Sequence, residues 1–158
     1  MTSESLALVD TNVLVYSVFQ DSQHHAASRL LLDEAQRRQF GLCVTSQVLA
    51  EFYAVVTDSR RVSSPRDPSE AIAAISAILS MTGMVLLPMP TESVSRWIEL
   101  VRRIPCKRGA IFDYQLIASM LANGITQVYT FDRSDFERFP EIEVLTPERF
   151  EEEMQADE

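Results

Sequence analysis

Four carboxylates in this 158-residue sequence stand where simple patterning would not put them. The apolar run LALVDTNVLVY meets Asp10 in its middle. Burying a lone charge is costly enough that such an acid caps a helix, shifts its pKa or has partners. Glu51 lies in SQVLAEFYAVV at helical spacing from Val48, Phe52, Val55 and Val56, so periodicity sets it in the apolar stripe. Asp113 shares a helical face with Leu116, Ile117, Met120 and Leu121, and Asp132 directly follows the apolar VYTF. Each acid has a bland reading. Asp10 suits an Asx turn or N-cap, Glu51 a side chain that snorkels outward, Asp113 a first-turn acid favoured by the helix dipole, and Asp132 a polar turn. Those readings need four unrelated explanations, whereas one shared cluster needs a single explanation.

A cluster has definite chemistry. Two carboxylates about 4 Å apart repel by roughly 4 kcal/mol at an effective dielectric near 20, so four of them require cations. Hard oxygen donors with no Cys or His beside them select Mg2+ or Mn2+ over zinc. One or two such ions activate water and stabilise the leaving oxygen of a phosphodiester, with no protein nucleophile needed. The sequence offers no nucleophile–base arrangement and, with four glycines in all, no glycine-rich phosphate loop. His24 and His25 stand in a polar stretch and read as solvated surface. Cys43 reads as a small buried thiol, and neither it nor Cys106 has zinc spacing or belongs to a disulfide framework.

The elements that must position these acids alternate along the chain. A strand at about 6–10 leads to a short helix at about 12–19, then to a helix with Ala27, Leu30, Leu31 and Ala35 on one face. LCVT is a strand, and the Glu51 helix follows with Ser46 as its N-cap. RRVSSPRDP is the most obvious mobile connection, and SEAIAAISAILSM is apolar enough to be core or an oligomer face. MVLLP is a strand, the helix carrying Trp97 comes next, and Gly124 is placed to end the Asp113 helix. TQVYTF and EVLTP supply two more strands, the last running into a helix with a solvated or frayed acidic tail at about 151–158. Strands separated repeatedly by helices specify an α/β fold, a single domain whose parallel sheet is covered on both faces. Asp10 and Asp132 then fall at the carboxyl ends of strands, where open α/β sheets place their ligand crevice.

Composition sets the outer bounds. Hydrophobic residues at 46% and charged residues at 23% describe a globular chain rather than a disordered one. The net charge of −9, from 23 acids and 14 bases, argues against a protein that coats nucleic acid, but not against nucleic acid bound through metal. No apolar stretch approaches the roughly 20 residues needed to span a bilayer, and no basic region precedes the first apolar run. The expectation is a soluble, cytoplasmic protein with no membrane partner.

LVDTNVLVY, TSQVLAEFYAVV, IFDYQLIASMLANG and TFDRSDFERFPEIEVLTP, in that order, resemble the PIN-domain ribonucleases, and most closely the VapC-type toxins of VapBC toxin–antitoxin pairs. The resemblance covers nearly the whole chain. It implies a three-layer α/β/α sandwich with an acidic site that uses Mg2+ or Mn2+ to cleave RNA, with tRNA or rRNA as candidate substrates. Carried onto this sequence, Asp10 and Asp113 are the core metal ligands, Glu51 and Asp132 complete the catalytic pocket, and Thr11, Asn12 and Thr130 are its small polar residues. Asp135 is a rival for Asp132, which is favoured because it directly follows its strand. The resemblance also implies a homodimer and a VapB-type antitoxin that blocks the pocket. Arg60, Arg61, Arg66, Arg102, Arg103, Lys107 and Arg108 are candidates for holding RNA. The alternatives are a PIN-domain nuclease with an RNA-processing role and a non-catalytic PIN-like binding module. An aspartyl phosphotransferase is disfavoured by the missing paired DxD after the first strand.

Overall fold

Five three-residue strands, β1 (Ala7–Val9), β2 (Leu42–Val44), β3 (Met84–Leu86), β4 (Gln127–Tyr129) and β5 (Glu143–Leu145), form one sheet in the order β3-β2-β1-β4-β5. The structure is a computed structural model and describes residues 6–38 and 40–157. Every pairing is parallel, with Leu8 opposite Cys43 on one side and Val128 on the other. β1 and β2 are buried throughout, as strands covered on both faces must be, which is why ALV and LCV show no polar alternation. β3 is an edge strand and leaves Val85 and Leu86 exposed.

Helices connect the strands and cover the sheet as a three-layer α/β/α sandwich: α1 (Thr11–Val18), α2 (His25–Arg38), α3 (Ser46–Val56), α4 (Pro68–Leu79), α5 (Ser93–Arg103), α6 (Ile111–Ala122), α7 (Ser134–Glu137) and α8 (Pro147–Ala156). α1 packs on α2 and α3, α2 on α8, and α5 on α6. Local signals account for most boundaries. The Asp67 side chain accepts from the Glu70 amide in a capping box, with Pro68 beginning α4. Gly124 ends α6 at φ +72°, a conformation that disfavours side chains with a Cβ.

Several expectations need correction. α3 is capped by Thr45, whose hydroxyl accepts from the Val48 amide, rather than by Ser46. On α2, Ala27, Leu31 and Ala35 are buried as expected, but the stripe continues through Leu32, and Leu30 is only half-buried. The acidic residues from Glu151 are mostly exposed, as expected of a solvated end, but they are not frayed and continue α8 to Ala156, while Glu158 lies outside the described residues. α8 packs on α2, which holds the end in register. The connection from α3 to α4, whose stretch RRVSSPRDP was expected to be mobile, is tied to α1. The Arg66 guanidinium donates to the Val18 carbonyl and lies 4.9 Å over the Phe19 ring, and the Arg66 amide donates to Val56 O at 2.7 Å. Cys43 is a buried free thiol, and burial pushes its pKa to about 12; Cys106 is also free.

Leu8 is fully buried at the centre of the sheet, so Leu8→Ala is expected to destabilise the chain by about 2–5 kcal/mol, read from urea unfolding. A loss below about 1 kcal/mol would mean that β1 is not the packing centre described here.

Candidate active site

β1 ends one residue before Asp10, and the chain turns directly into α1. Asp10 is therefore the N-cap of that helix, accepting from the Thr11 amide through Oδ1 at 2.8 Å. Its other oxygen, Oδ2, accepts from the Thr130 hydroxyl at 2.8 Å and from Asn12 Nδ2 at 3.4 Å. The capping reading of Asp10 is thus correct. Capping occupies one oxygen, while the second faces the end of the neighbouring strand β4.

Thr130 lies one residue beyond β4, fully buried, and its hydroxyl also accepts from the Asp132 amide. Asn12 joins the two strand ends. Its Nδ2 reaches Thr130 Oγ1 and Asp132 Oδ2, each at 3.2 Å, and its Oδ1 accepts from the Phe131 amide. Residues about 120 positions apart are locked together by one amide side chain. Asp132 sits in the loop three residues past the end of β4, not at the strand end itself.

Glu51 differs from expectation. The buried stripe of α3 is Val48, Leu49, Phe52 and Val56, and Glu51 lies on its exposed flank. A rotation of about 100° per residue separates it from Phe52. From there its Oε2 accepts from the Thr11 hydroxyl at 3.1 Å and its Oε1 from Gln47 Nε2 at 3.2 Å. Gln47 also donates to the Phe112 carbonyl at 2.9 Å, tying α3 to the first turn of α6. Gln47 escaped the sequence reading, although its place four residues before Glu51 was the available signal.

Asp113 stands half-buried in that first turn, and it makes no hydrogen bond among the described residues. Burial raises its pKa to about 6, reinforced by the charges of Asp135 and Glu51 and opposed by the Arg138 guanidinium. Asp10 also rises to about 6, chiefly through burial, with Glu51 and Asp132 adding to it and the Thr130 and Thr11 hydrogen bonds opposing. Asp135 is therefore not simply a rival for Asp132. The charge of the first bears more strongly on Asp113, while the second shares the Asn12 amide with Asp10.

All five acids line one cavity of about 530 Å3 at the carboxyl edge of the sheet. Among the described residues no three His, Cys, Asp or Glu side chains already converge into a coordination sphere. The donor set nonetheless suits a hard cation, because the wall carries carboxylate, hydroxyl and amide oxygens and neither His nor Cys. The histidines are engaged elsewhere, contrary to the solvated-surface expectation. His24 stacks between Tyr16 and Phe131 with Nδ1 3.0 Å from Glu148, and His25 Nδ1 is 2.8 Å from the Tyr16 carbonyl. Of the basic candidates, Arg60 pairs with Asp58, Arg102 with Glu99 and Arg103 with Glu141, whereas Arg61 lines the cavity.

Comparison with known proteins agrees with this geometry. The PIN domain family model matches residues 7–142. Ribonuclease VapC43 of Mycobacterium tuberculosis is 32% identical over 118 residues, covering 75% of this chain and 80% of the relative. Among solved structures, a chain of the Rickettsia felis VapBC2 complex bound to a promoter DNA fragment superposes with a TM-score of 0.66 at 17% identity, covering 89% of this chain and 98% of that one. M. tuberculosis VapC20, described as a sarcin-ricin loop cleaving toxin, gives a TM-score of 0.64 at 18% identity, covering 85% and 95%. The structural likenesses establish the fold, and the sequence matches establish the kinship. This chain belongs to the PIN-domain family, among the VapC ribonucleases.

Proposed function

We propose that the chain is a divalent-metal-dependent endoribonuclease, the toxin of a type II toxin–antitoxin pair acting in the cytoplasm. The observation that carries this reading is the single cavity lined by Asp10, Glu51, Asp113, Asp132 and Asp135, two of whose carboxyls are held near pKa 6. PIN-domain ribonucleases depend on divalent metal, and Mg2+ or Mn2+ fits a donor set made of oxygen. Asp10 and Asp113 are the proposed principal ligands, with Glu51 and Asp132 completing the site. A divalent ion there supplies Lewis acidity toward water and the phosphodiester.

The chain's own groups do the positioning. Thr130 and the Thr11 amide fix both oxygens of Asp10, so that carboxylate meets its ligand without rotamer search. Asn12 holds Asp132 beside Asp10, and Thr11 steers Glu51 inward from the flank of α3. Asp113 has no competing hydrogen bond and is free to bind. The proposed substrate is RNA, with tRNA and rRNA as first candidates. The proposed partner is a VapB-type antitoxin, whose basic side chains suit an acidic cavity. We also propose a homodimer through the α4 and β3 side of the chain, where Ile72 is 58% exposed and Leu79, Val85 and Leu86 are exposed too, α4 and β3 being in contact.

Asp10→Asn and Asp113→Asn are each expected to lower metal-dependent cleavage of total tRNA or rRNA by roughly 100-fold or more. Asp132→Asn is expected to cost more than Asp135→Asn. Full activity in either of the first two variants would remove that residue from the site.

The raised pKa values carry a stability signature. Both carboxyls stay protonated to higher pH when folded, so the folded state holds extra protons between about pH 4 and 6, and stability falls as pH rises through that window. The metal-free chain is expected to melt higher at pH 5.5 than at pH 7.5, and Mn2+ at pH 7.5 to recover the difference. Asp113→Asn is expected to melt higher than the unaltered chain at pH 7.5 without metal. Identical melting profiles for the two would contradict the charge crowding described here.

Ile72→Asp is expected to yield a monomer in analytical ultracentrifugation. A dimer of unchanged affinity would place the interface on another face.

A further inference from the structure

The acid-lined cavity is larger than its proposed chemistry requires. Asp10, Asp113 and Asp132 are the residues that would hold a metal and the phosphodiester it acts on, yet the same cavity extends to about 530 Å3, within the range of about 300–1,000 Å3 that encloses a small organic ligand. The rest of its lining has a different character. Val15, Tyr16 and Phe19 on and just after α1, Ala54 and Val55 of α3 and Val62 are apolar or aromatic, with Asp21, taken up by the Ser63 hydroxyl, and Arg61 among them. The apolar and aromatic part does nothing for a phosphate, but it suits the face of a planar, weakly polar ring.

We infer that this part of the lining seats the nucleobase flanking the cleaved phosphate, with Tyr16 as its stacking surface and Arg61 as the cation facing the neighbouring backbone. The inference rests on the ribonuclease reading and adds the part of the substrate that this lining selects.

Tyr16 is held for that role. Phe131 meets its ring edge-on at 5.3 Å and 77°, and His24 packs against it at 4.9 Å, so the ring is braced while remaining part of the cavity wall. Base–aromatic stacking of this kind accepts any base, and polar groups at the rim then discriminate. Ser22 and Ser63 lie on that rim. The far wall is already built, because Ser63 donates to Asp21 at 3.2 Å and Arg66 lies over Phe19, pinning the connection across the end of α1. Arg61 is the sole basic residue on the cavity wall, and its side chain makes no hydrogen bond among the described residues.

Two measurements test this. The first follows amide shifts of the full chain in EDTA on titration with adenosine, cytidine, guanosine and uridine, which carry a base and no phosphate. At least one nucleoside is expected to shift Tyr16, Val55 and Val62 while leaving Val85 of the distant β3 unmoved. Ala54→Trp, placed at an exposed position of α3 so that folding is spared, is expected to abolish those shifts. The second compares RNA cleavage. Ala54→Trp is expected to lower it more than tenfold, and Tyr16→Ala about tenfold, with Mn2+ affinity unchanged in both. Absence of shifts at these amides with all four nucleosides, or full cleavage by Ala54→Trp, overturns the inference and leaves that part of the cavity to a protein side chain. Absence of cleavage by the unaltered chain would instead overturn the ribonuclease reading, and the nucleoside titration would still decide what that part of the cavity takes.

Discussion

Carboxylates brought together and partly buried at one sheet edge are the constraint around which this site is arranged. β1 and β4 lie side by side and parallel, so whatever follows each strand emerges at the same edge. Here Asp10 follows one and Thr130 to Asp132 the other. α3 and α6 then bring Glu51 and Asp113 to the same cavity. Asp10 and Asp113 both resist ionisation, chiefly because they are buried, with the charges of their acidic neighbours adding to it. A fold selected for stability alone would not collect these charges. The arrangement makes sense if a cation compensates them, which makes the site a source of strain without its ligand and of cohesion with it.

Neutral polar side chains keep the cluster from dispersing. Thr11, Asn12, Gln47 and Thr130 each contact at least one acid and bridge to a separate element. They do so without adding charge, so they orient carboxylates while leaving room for a cation. An arginine in their place would neutralise the acids and occupy the cavity. Arg138, whose guanidinium lowers the pKa of Asp113, instead lies over the Tyr114 and Phe139 rings at 5.4 and 5.7 Å.

The periphery follows the same economy. His24, between Tyr16 and Phe131 and beside Glu148, links the cavity wall to the last helix. Arg66 links the 57–66 connection to α1 through a carbonyl and an aromatic face. Segments that look polar and loose in one dimension thereby become walls in three.

How much was legible beforehand differs by kind of feature. Alternation of short apolar runs with amphipathic stretches determined the parallel α/β architecture, since each segment reports its own burial and period. Asp10 was legible as an edge residue because the end of a strand is a local event, whereas Asp132, read as a strand end, lies in the loop three residues beyond β4. The sequence did not show that Glu51 leaves its stripe for Thr11, that Asp135 belongs with Asp113, or that Gln47 reaches the Phe112 carbonyl. Nor did it reveal the aromatic stack around His24. Each is a meeting of side chains from separate elements, and periodicity carries no information about which distant face lies opposite. Sequence by itself decided which acids stand at the sheet edge; only packing decided which acids face one another and what shape of cavity they enclose.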